Sequence, residues 1–169
     1  MGVTISETKS QREEEEIKGS QFKRILAAVD GSENSLRACL VAANLAKKNE
    51  AELIVLNVIP APSFLIKSPI GVVTPPISPD QYYAFVKEEA EIIIDRAASI
   101  AKKQGVRARK EILRGSTSTV QSITEFASNE NIDLIVIGTR GLGGFSRMLL
   151  GSVSGGVVQH AICSVLVVR

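Results

Sequence analysis

From Arg24 onward, short and almost wholly apolar runs alternate with longer stretches in which apolar residues recur every third or fourth position. RILAAVD, residues 24–30, is apolar up to a polar turn and predicts a strand buried on both faces. Leu36, Cys39, Leu40, Ala43 and Ala46 follow at helical spacing, and AELIVLNVI, residues 51–59, predicts a second buried strand. Val86, Ala90, Ile93, Ala97 and Ile100 mark one face of a long helix that Gly105 ends, with Lys87, Glu88 and Glu91 on its solvent side. VRARKEIL, residues 106–113, alternates and predicts a half-covered edge strand. Gly115 and the hydroxyls of Ser116 and Thr117 open a further helix that turns Val120, Ile123 and Ala127 inward. IDLIVIG, residues 132–138, is the fourth strand; Val153, Val157 and Ala161 put a last helix against the sheet, and SVLVVR closes the chain as the fifth strand.

Strands alternating with helices require crossover connections, which are right-handed and leave the strands parallel. The predicted fold is therefore α/β: an open, doubly wound five-stranded parallel sheet with helices on both faces. At 169 residues the chain is long enough for one domain with a sizeable core. Hydrophobic residues make up 44% of it and aromatics only 4%, so that core must be built from Ile, Leu, Val and Ala packed between layers. All 6 prolines fall between Pro60 and Pro79, which predicts that residues 60–80 lack regular structure and form a lid loop. Residues 1–21 are polar and carry the acidic run Glu13 to Glu16, and are expected to be a flexible extension ahead of a single domain over 22–169. The opening MGVTIS fits a myristoylation pattern at Gly2 and Ser6, but the pattern is so short that the match is read as chance in a disordered leader.

Charge and reactive residues narrow the chemistry. A net charge of +2, spread without a basic stripe, does not indicate a nucleic-acid partner, and no apolar span indicates a membrane. Cys39 and Cys163 lie far apart and His160 is the only histidine, so neither a zinc cluster nor a disulfide framework is suggested; a reducing cytoplasm is the expected compartment. A single histidine without a placed carboxylate or nucleophile is not an active site, and no catalytic residue or metal ligand is assigned.

The candidate chemistry lies in IVIGTRGLGGFSRMLLGS, residues 135–152, where a buried strand runs into a loop holding Gly138, Gly141, Gly143, Gly144 and Gly151. In an open parallel sheet, ligands sit beyond the carboxyl ends of the strands, and this loop leads directly into a helix. Backbone N–H groups and the positive end of the helix dipole then face the rim, an arrangement that favours phosphate. Glycines let the backbone approach the oxygens; Ser152 and Ser154 offer hydroxyls, and Arg140 and Arg147 offer charge. The alternative is that these glycines serve only a tight turn and close helix packing; the phosphate reading is the favoured one. A Walker loop needs a Gly-Lys pair that the chain lacks, and the dinucleotide fingerprint fails because its third glycine position falls on Ser146.

Gly138, Gly141, Gly151 and Ser152 spell G-2x-G-9x-G-[ST]. With ILAAVDGSENS at the start and LLGSVSGGVVQHAICSVLVVR at the end, the chain from Phe22 to Arg169 resembles the ATP-binding branch of the universal stress protein family. The resemblance implies a Rossmann-like sheet of strand order 3-2-1-4-5 and a cleft for ATP, or for ADP or AMP, with Mg2+ or Mn2+. It implies that Asp30 lies against the adenosine, that Ala28 and Val29 line the cleft, and that the Val58 backbone adjoins adenine. Gly138 is then beside the ribose, and Gly141, Gly151, Ser152 and Val153 hold the phosphates. Homodimers built across the last strand, Val165 to Val168, are also implied, and that apolar edge by itself invites pairing with a second copy.

The expected function is a nucleotide-dependent switch or regulator in stress response, acting on an unknown protein partner, with at most slow ATP hydrolysis or phosphotransfer. Two alternatives stand beside it. One is an adenosine-nucleotide-dependent turnover enzyme, for which neither a HIGH-like nor an SGGxDS-like motif is present. The other is a dimeric interaction protein that has lost nucleotide binding, against which the intact glycine set argues. Asp30 also suits the cap of the helix beginning near Ser32, a role compatible with ligand contact.

Overall fold

The computed structural model describes residues 22–61, 66–68, 71–73, 78–115, 118–141 and 150–169. Five strands, β1 (Arg24–Ala28), β2 (Glu52–Ile59), β5 (Ala108–Arg114), β6 (Leu134–Gly138) and β7 (Ser164–Val168), form one parallel sheet. Their spatial order is β5-β2-β1-β6-β7, which is 3-2-1-4-5 when these five are counted along the chain. Four helices connect them: α1 (Glu33–Asn49), α2 (Pro79–Lys103), α3 (Thr119–Asn129) and α4 (Ser152–His160). The fold class and strand order expected from the sequence are the ones observed.

The helices divide between the two faces, and the alternation of side chains along each strand divides the core in the same way. Ile25, Ala27, Leu53, Val55 and Val136 pack against α1 and α2, where Cys39, Ala43 and Ala97 let the helix backbones lie close to the sheet. Leu26, Ile54, Leu56, Ile135 and Ile137 pack against α3 and α4 through Ile123, Ala127 and Val157. Burial on both faces explains the unbroken apolar runs of β1, β2 and β6; each fully buried Leu, Ile or Val contributes about 1.5–3 kcal/mol.

Local chemistry sets the helix ends. Ser32 and Ser78 cap α1 and α2 by accepting from the N–H groups of Ser35 and Gln81, and Gln81 completes a capping box. Gly105, at φ +79°, stops α2 as expected: its N–H bonds Lys102 O while that of Val106 bonds Ala101 O. Helix α3 starts later than expected. Its cap is Ser118, which accepts from Gln121 N–H, so Ser116 and Thr117 lie before the helix and outside the described residues. Leu40 is 36% exposed, because the buried stripe of α1 also runs through Ala38 and Ala42 and leaves Leu40 at its margin.

The expectation that residues 60–80 lack regular structure is corrected. Two short strands, β3 (Ile66–Ser68) and β4 (Gly71–Val73), pair antiparallel from Ile66 with Val73 to Ser68 with Gly71. The prolines at 62, 69, 75 and 76 fall outside these six positions, so the missing N–H of proline never interrupts the ladder, and β-branched Ile66, Val72 and Val73 suit pairing. Residues 62–65, 69–70 and 74–77 of the expected lid, and the acidic extension over 1–21, lie outside the described residues. At the amino end of the sheet Glu130 binds the guanidinium groups of Arg24 (2.8 Å) and Arg109 (2.7 Å), while Glu52 binds Arg24 at 3.0 Å. This network ties three strands to the end of α3.

Candidate functional site

Helix α1 leaves β1 toward one face of the sheet, whereas α4, which follows β6, packs on the other. The carboxyl ends of the adjacent strands β1 and β6 are therefore the switch point at which an open sheet leaves a crevice. A cavity of about 450 Å³ lies there. All eleven residues singled out from the sequence line it: Ala28, Val29 and Asp30 from the end of β1, Val58 from β2, Gly138, Arg140 and Gly141 after β6, and Gly151, Ser152, Val153 and Ser154 at the start of α4. Ser146 and Arg147 fall within residues 142–149, outside the described part of the chain.

Asp30 sits on a turn made by Gly31, whose φ of +84° favours glycine. One carboxylate oxygen accepts from the Ser32 N–H at 3.0 Å and the Ser32 hydroxyl at 2.6 Å. Ser32 Oγ in turn accepts from Ser35 N–H at 3.2 Å, so Asp30 buttresses the cap of α1 while remaining on the cavity wall. A Cβ on Gly141 would collide with the other oxygen, Asp30 Oδ2. The bare backbone at Gly141 is what lets the carboxylate stand there.

Gly138 has a different reason to be glycine. A Cβ at this position would lie 2.8 Å from the carbonyl carbon of Asn34 and 2.9 Å from the Ser35 nitrogen. The first turn of α1 is packed directly on it, the close-packing use of glycine that the sequence left open. Gly151 is held by its N–H to Thr139 O at 2.7 Å, and a Cβ there would sit 3.2 Å from the same oxygen.

Helix α4 is unlike the other three in having no side-chain hydrogen bond at its cap, Gly151. The first N–H groups of a helix have no intrahelical partner, and here they open on the cavity beside the exposed hydroxyl of Ser152. Ser154 lines the cavity, but its hydroxyl has a partner within the chain. Its side chain is buried and its hydroxyl donates to Thr139 O at 2.9 Å, which ties the helix start to the loop after β6.

The opposite wall is apolar, formed by Ala28, Leu56, Val58, Ile123 and Ile137. Leu56, Ile123 and Ile137 were not singled out from the sequence, nor were Ser35 and Thr119. Leu56 is two residues before Val58 and shares its face, and Thr119 is one turn before Ile123, so the periods of strand and helix carried the signal. At the edge of this wall the Val29 N–H donates to Leu56 O at 2.9 Å, and β1 then leaves the sheet. Among the described residues no group of three His, Cys, Asp or Glu side chains could hold a metal ion, and no helix is long and apolar enough to cross a membrane.

An open, doubly wound α/β domain with a half-apolar cavity and an uncapped helix start at its switch point is a class built to hold small anionic ligands. The family model described as "Universal stress protein family" matches residues 21–169, and the chain belongs to that family. It is 36% identical over 149 residues to universal stress protein YxiE of Bacillus subtilis, covering 88% of this chain and 99% of that one. The structure of universal stress protein UspA from Lactobacillus plantarum matches with a TM-score of 0.74 at 25% identity, over 89% of this chain and 99% of that one. A universal stress protein in complex with cAMP matches with a TM-score of 0.67 at 26% identity, again over 89% and 99% of the two chains.

Proposed function

We propose that this chain binds an adenine nucleotide in the switch-point cavity, ATP foremost and ADP or AMP as alternatives, and works as a nucleotide-dependent switch in stress response. The observation that carries the reading is the division of the cavity into an apolar wall, Leu56 to Ile137, and a helix start without a side-chain cap at Gly151. A flat apolar base suits the first half and phosphate suits the second. The similar protein in complex with cAMP supports an adenine nucleotide in particular. In this reading Asp30 lies against the adenosine, and Gly141, Ser152 and Val153 hold the phosphates; all four line the cavity. Mg2+ or Mn2+ would enter on the phosphate oxygens of the nucleotide, since the described side chains offer no metal cluster of their own.

Turnover is slow at most in this reading. The described lining includes neither histidine nor lysine, and one oxygen of its carboxylate, Asp30, is already engaged by Ser32. Chemistry at a γ-phosphate needs a placed base and cation. A homodimer through β7 (Ser164–Val168) is part of the proposal, supported by Ile162, Val158 and Leu166, which are 81%, 46% and 36% exposed near that edge. Residues 60–80 and an unidentified protein partner would respond to the bound nucleotide.

The test is to analyse small molecules released from the denatured purified protein and then titrate the stripped protein with ATP. Released adenine nucleotide or saturable micromolar binding is expected, and Gly151→Val should remove it while the far-ultraviolet dichroism stays intact. A stripped protein that ignores ATP with magnesium and with manganese overturns the reading.

A further inference from the structure

A second hollow, of about 510 Å³, lies where α2 turns into β5, at the opposite end of the strands from the switch-point cavity. It is lined by apolar Ala98, Val106 and Ala108 and by the cations Lys102, Arg107 and Lys110. Helix α1 ends at the same place: Lys47 Nζ stands 3.8 Å from where a Cβ on Gly105 would be, and Gly105 lines the hollow. The last turns of the two helices therefore bring Lys47 and Lys48 together with Lys102 and Lys103. Cations in a last turn suit the helix dipole, but Arg107 and Lys110 lie beyond the helix, where that account does not reach.

The charge at this corner is unmatched. Among the described residues Lys47, Lys48, Lys102, Lys103 and Arg107 have no ion-pair partner. The carboxylates around them are mostly engaged: Asp95 by Lys110 at 2.8 Å, Glu111 by Arg109 at 3.5 Å, and Glu52 and Glu130 by Arg24 and Arg109, which leaves Glu50 at the end of α1. A hollow walled by unpaired cations attracts carboxylates.

We propose that this hollow docks the chain's own acidic run, Glu13 to Glu16. The run lies outside the described residues, but the point from which it reaches is fixed. Phe22 packs against the core beneath α1 and α2, as Ala108 does, and Lys23 O accepts from Glu52 N–H at 2.8 Å, so the extension leaves from the amino end of the sheet on the face that holds the hollow. Glu52 pairs with Arg24, and Leu53 with Ala108, which puts the start of β5 two strand spacings from the start of β1, about 10 Å. Six residues separate Glu16 from Phe22 and span up to about 20 Å when extended. A short tether holds the run at an effective concentration in the millimolar range, so weak contacts are enough to seat it, and an untethered acidic peptide competes at a disadvantage. Arg12 and Lys18 flank the run and confine the attraction to its four carboxylates. The inference does not use the nucleotide reading of the cavity.

The test is cleavage of the full chain by a glutamate-specific protease, with the free peptide of residues 1–21 digested in parallel as the reference. At about 0.01 M salt, where charges interact over about 30 Å, the chain should be cut between Glu13 and Glu16 about tenfold more slowly than the peptide, and at about 1 M salt the two rates should converge. Equal rates at low salt overturn the proposal without any variant having to fold, and protection that persists at high salt overturns it as a charge-driven contact. Lys102→Glu and Arg107→Glu should each restore cleavage severalfold. Lys87→Glu, the same change of net charge near the start of α2, should not, and equal effects of all three overturn the site. Protection should be independent of protein concentration; protection that fades on dilution would put the run on a second copy and overturn docking within one chain. ATP titrations of wild type and Lys102→Glu should agree, and a failure of ATP to bind either protein bears on the nucleotide reading alone.

Discussion

Replacing Gly138 by alanine tests the packing that shapes the cleft. The new Cβ would meet the backbone of Asn34 and Ser35 at 2.8 and 2.9 Å, and Asn34 Cβ at 3.0 Å. Backbone cannot rotate aside as a side chain does, so the first turn of α1 must retreat by several tenths of an ångström. Overpacking of this kind costs about 1–3 kcal/mol. Losing a glycine from the unfolded chain offsets about 0.4–1 kcal/mol. The net expectation is a loss of about 1–2 kcal/mol, which at this chain length lowers Tm by about 2–8 °C. Because Asp30 N–H donates to Ser35 Oγ at 3.3 Å, the retreat also disturbs the cavity wall, and ATP affinity should fall with stability. Gly105→Ala is the comparison: its neighbourhood is open, with Lys47 Nζ at 3.8 Å, so only the strain of φ +79° acts there and ATP affinity should hold. Thermal melts with paired ATP titrations decide the matter. A Gly138→Ala protein as stable as the wild type would refute the contact between β6 and the start of α1.

Three further outcomes are expected. Burial pushes the Cys39 thiol up to about 11, so Ellman's reagent should modify Cys163 well before Cys39 in the native protein; equal rates would contradict the packing of α1 on α2. The Glu130 carboxyl is held below its usual range, first by its hydrogen bond from Arg109 and then by Arg24. A depressed carboxylate contributes stability that is present above its unfolded pKa of about 4.3 and lost as pH falls through the folded value. Glu130→Gln should therefore lower the urea midpoint at pH 7 and leave it little changed near pH 2, and an equal loss at both would refute the assignment. Ile162→Arg should shift sedimentation toward the monomer if the β7 edge joins two copies; an unchanged sedimentation coefficient would locate the interface elsewhere.

The parallel sheet and its order were legible because β1, β2 and β6 are buried on both faces and leave runs that no amphipathic element produces. The rim was legible because glycines at 138, 141 and 151 follow a buried strand and lead into a helix, although Gly138 turns out to be glycine for the packing of α1 upon it. What the sequence hid was how the polar atoms are used. The partner that the Ser154 hydroxyl has in Thr139 O left no mark in the sequence, and Asn57 looks like an exception in an apolar run until Val29 O is found beside it. The pairing of Ile66 with Val73 was hidden by the surrounding prolines, whose influence was assigned to the whole segment when it stops at the positions they occupy.

Helix α4 has a spatial consequence. It spans nine residues, Ser152–His160, and at about 1.5 Å per residue it measures about 13 Å from the cavity to its far end. Too short to be stable alone, and interrupted by Gly155 and Gly156, it keeps its place by docking, with Gly156 seated against Val120 of α3. The same short rod therefore joins Gly151, on the cavity wall, to Val158, 46% exposed beside the β7 edge, so the two places are separated by about two turns of one helix.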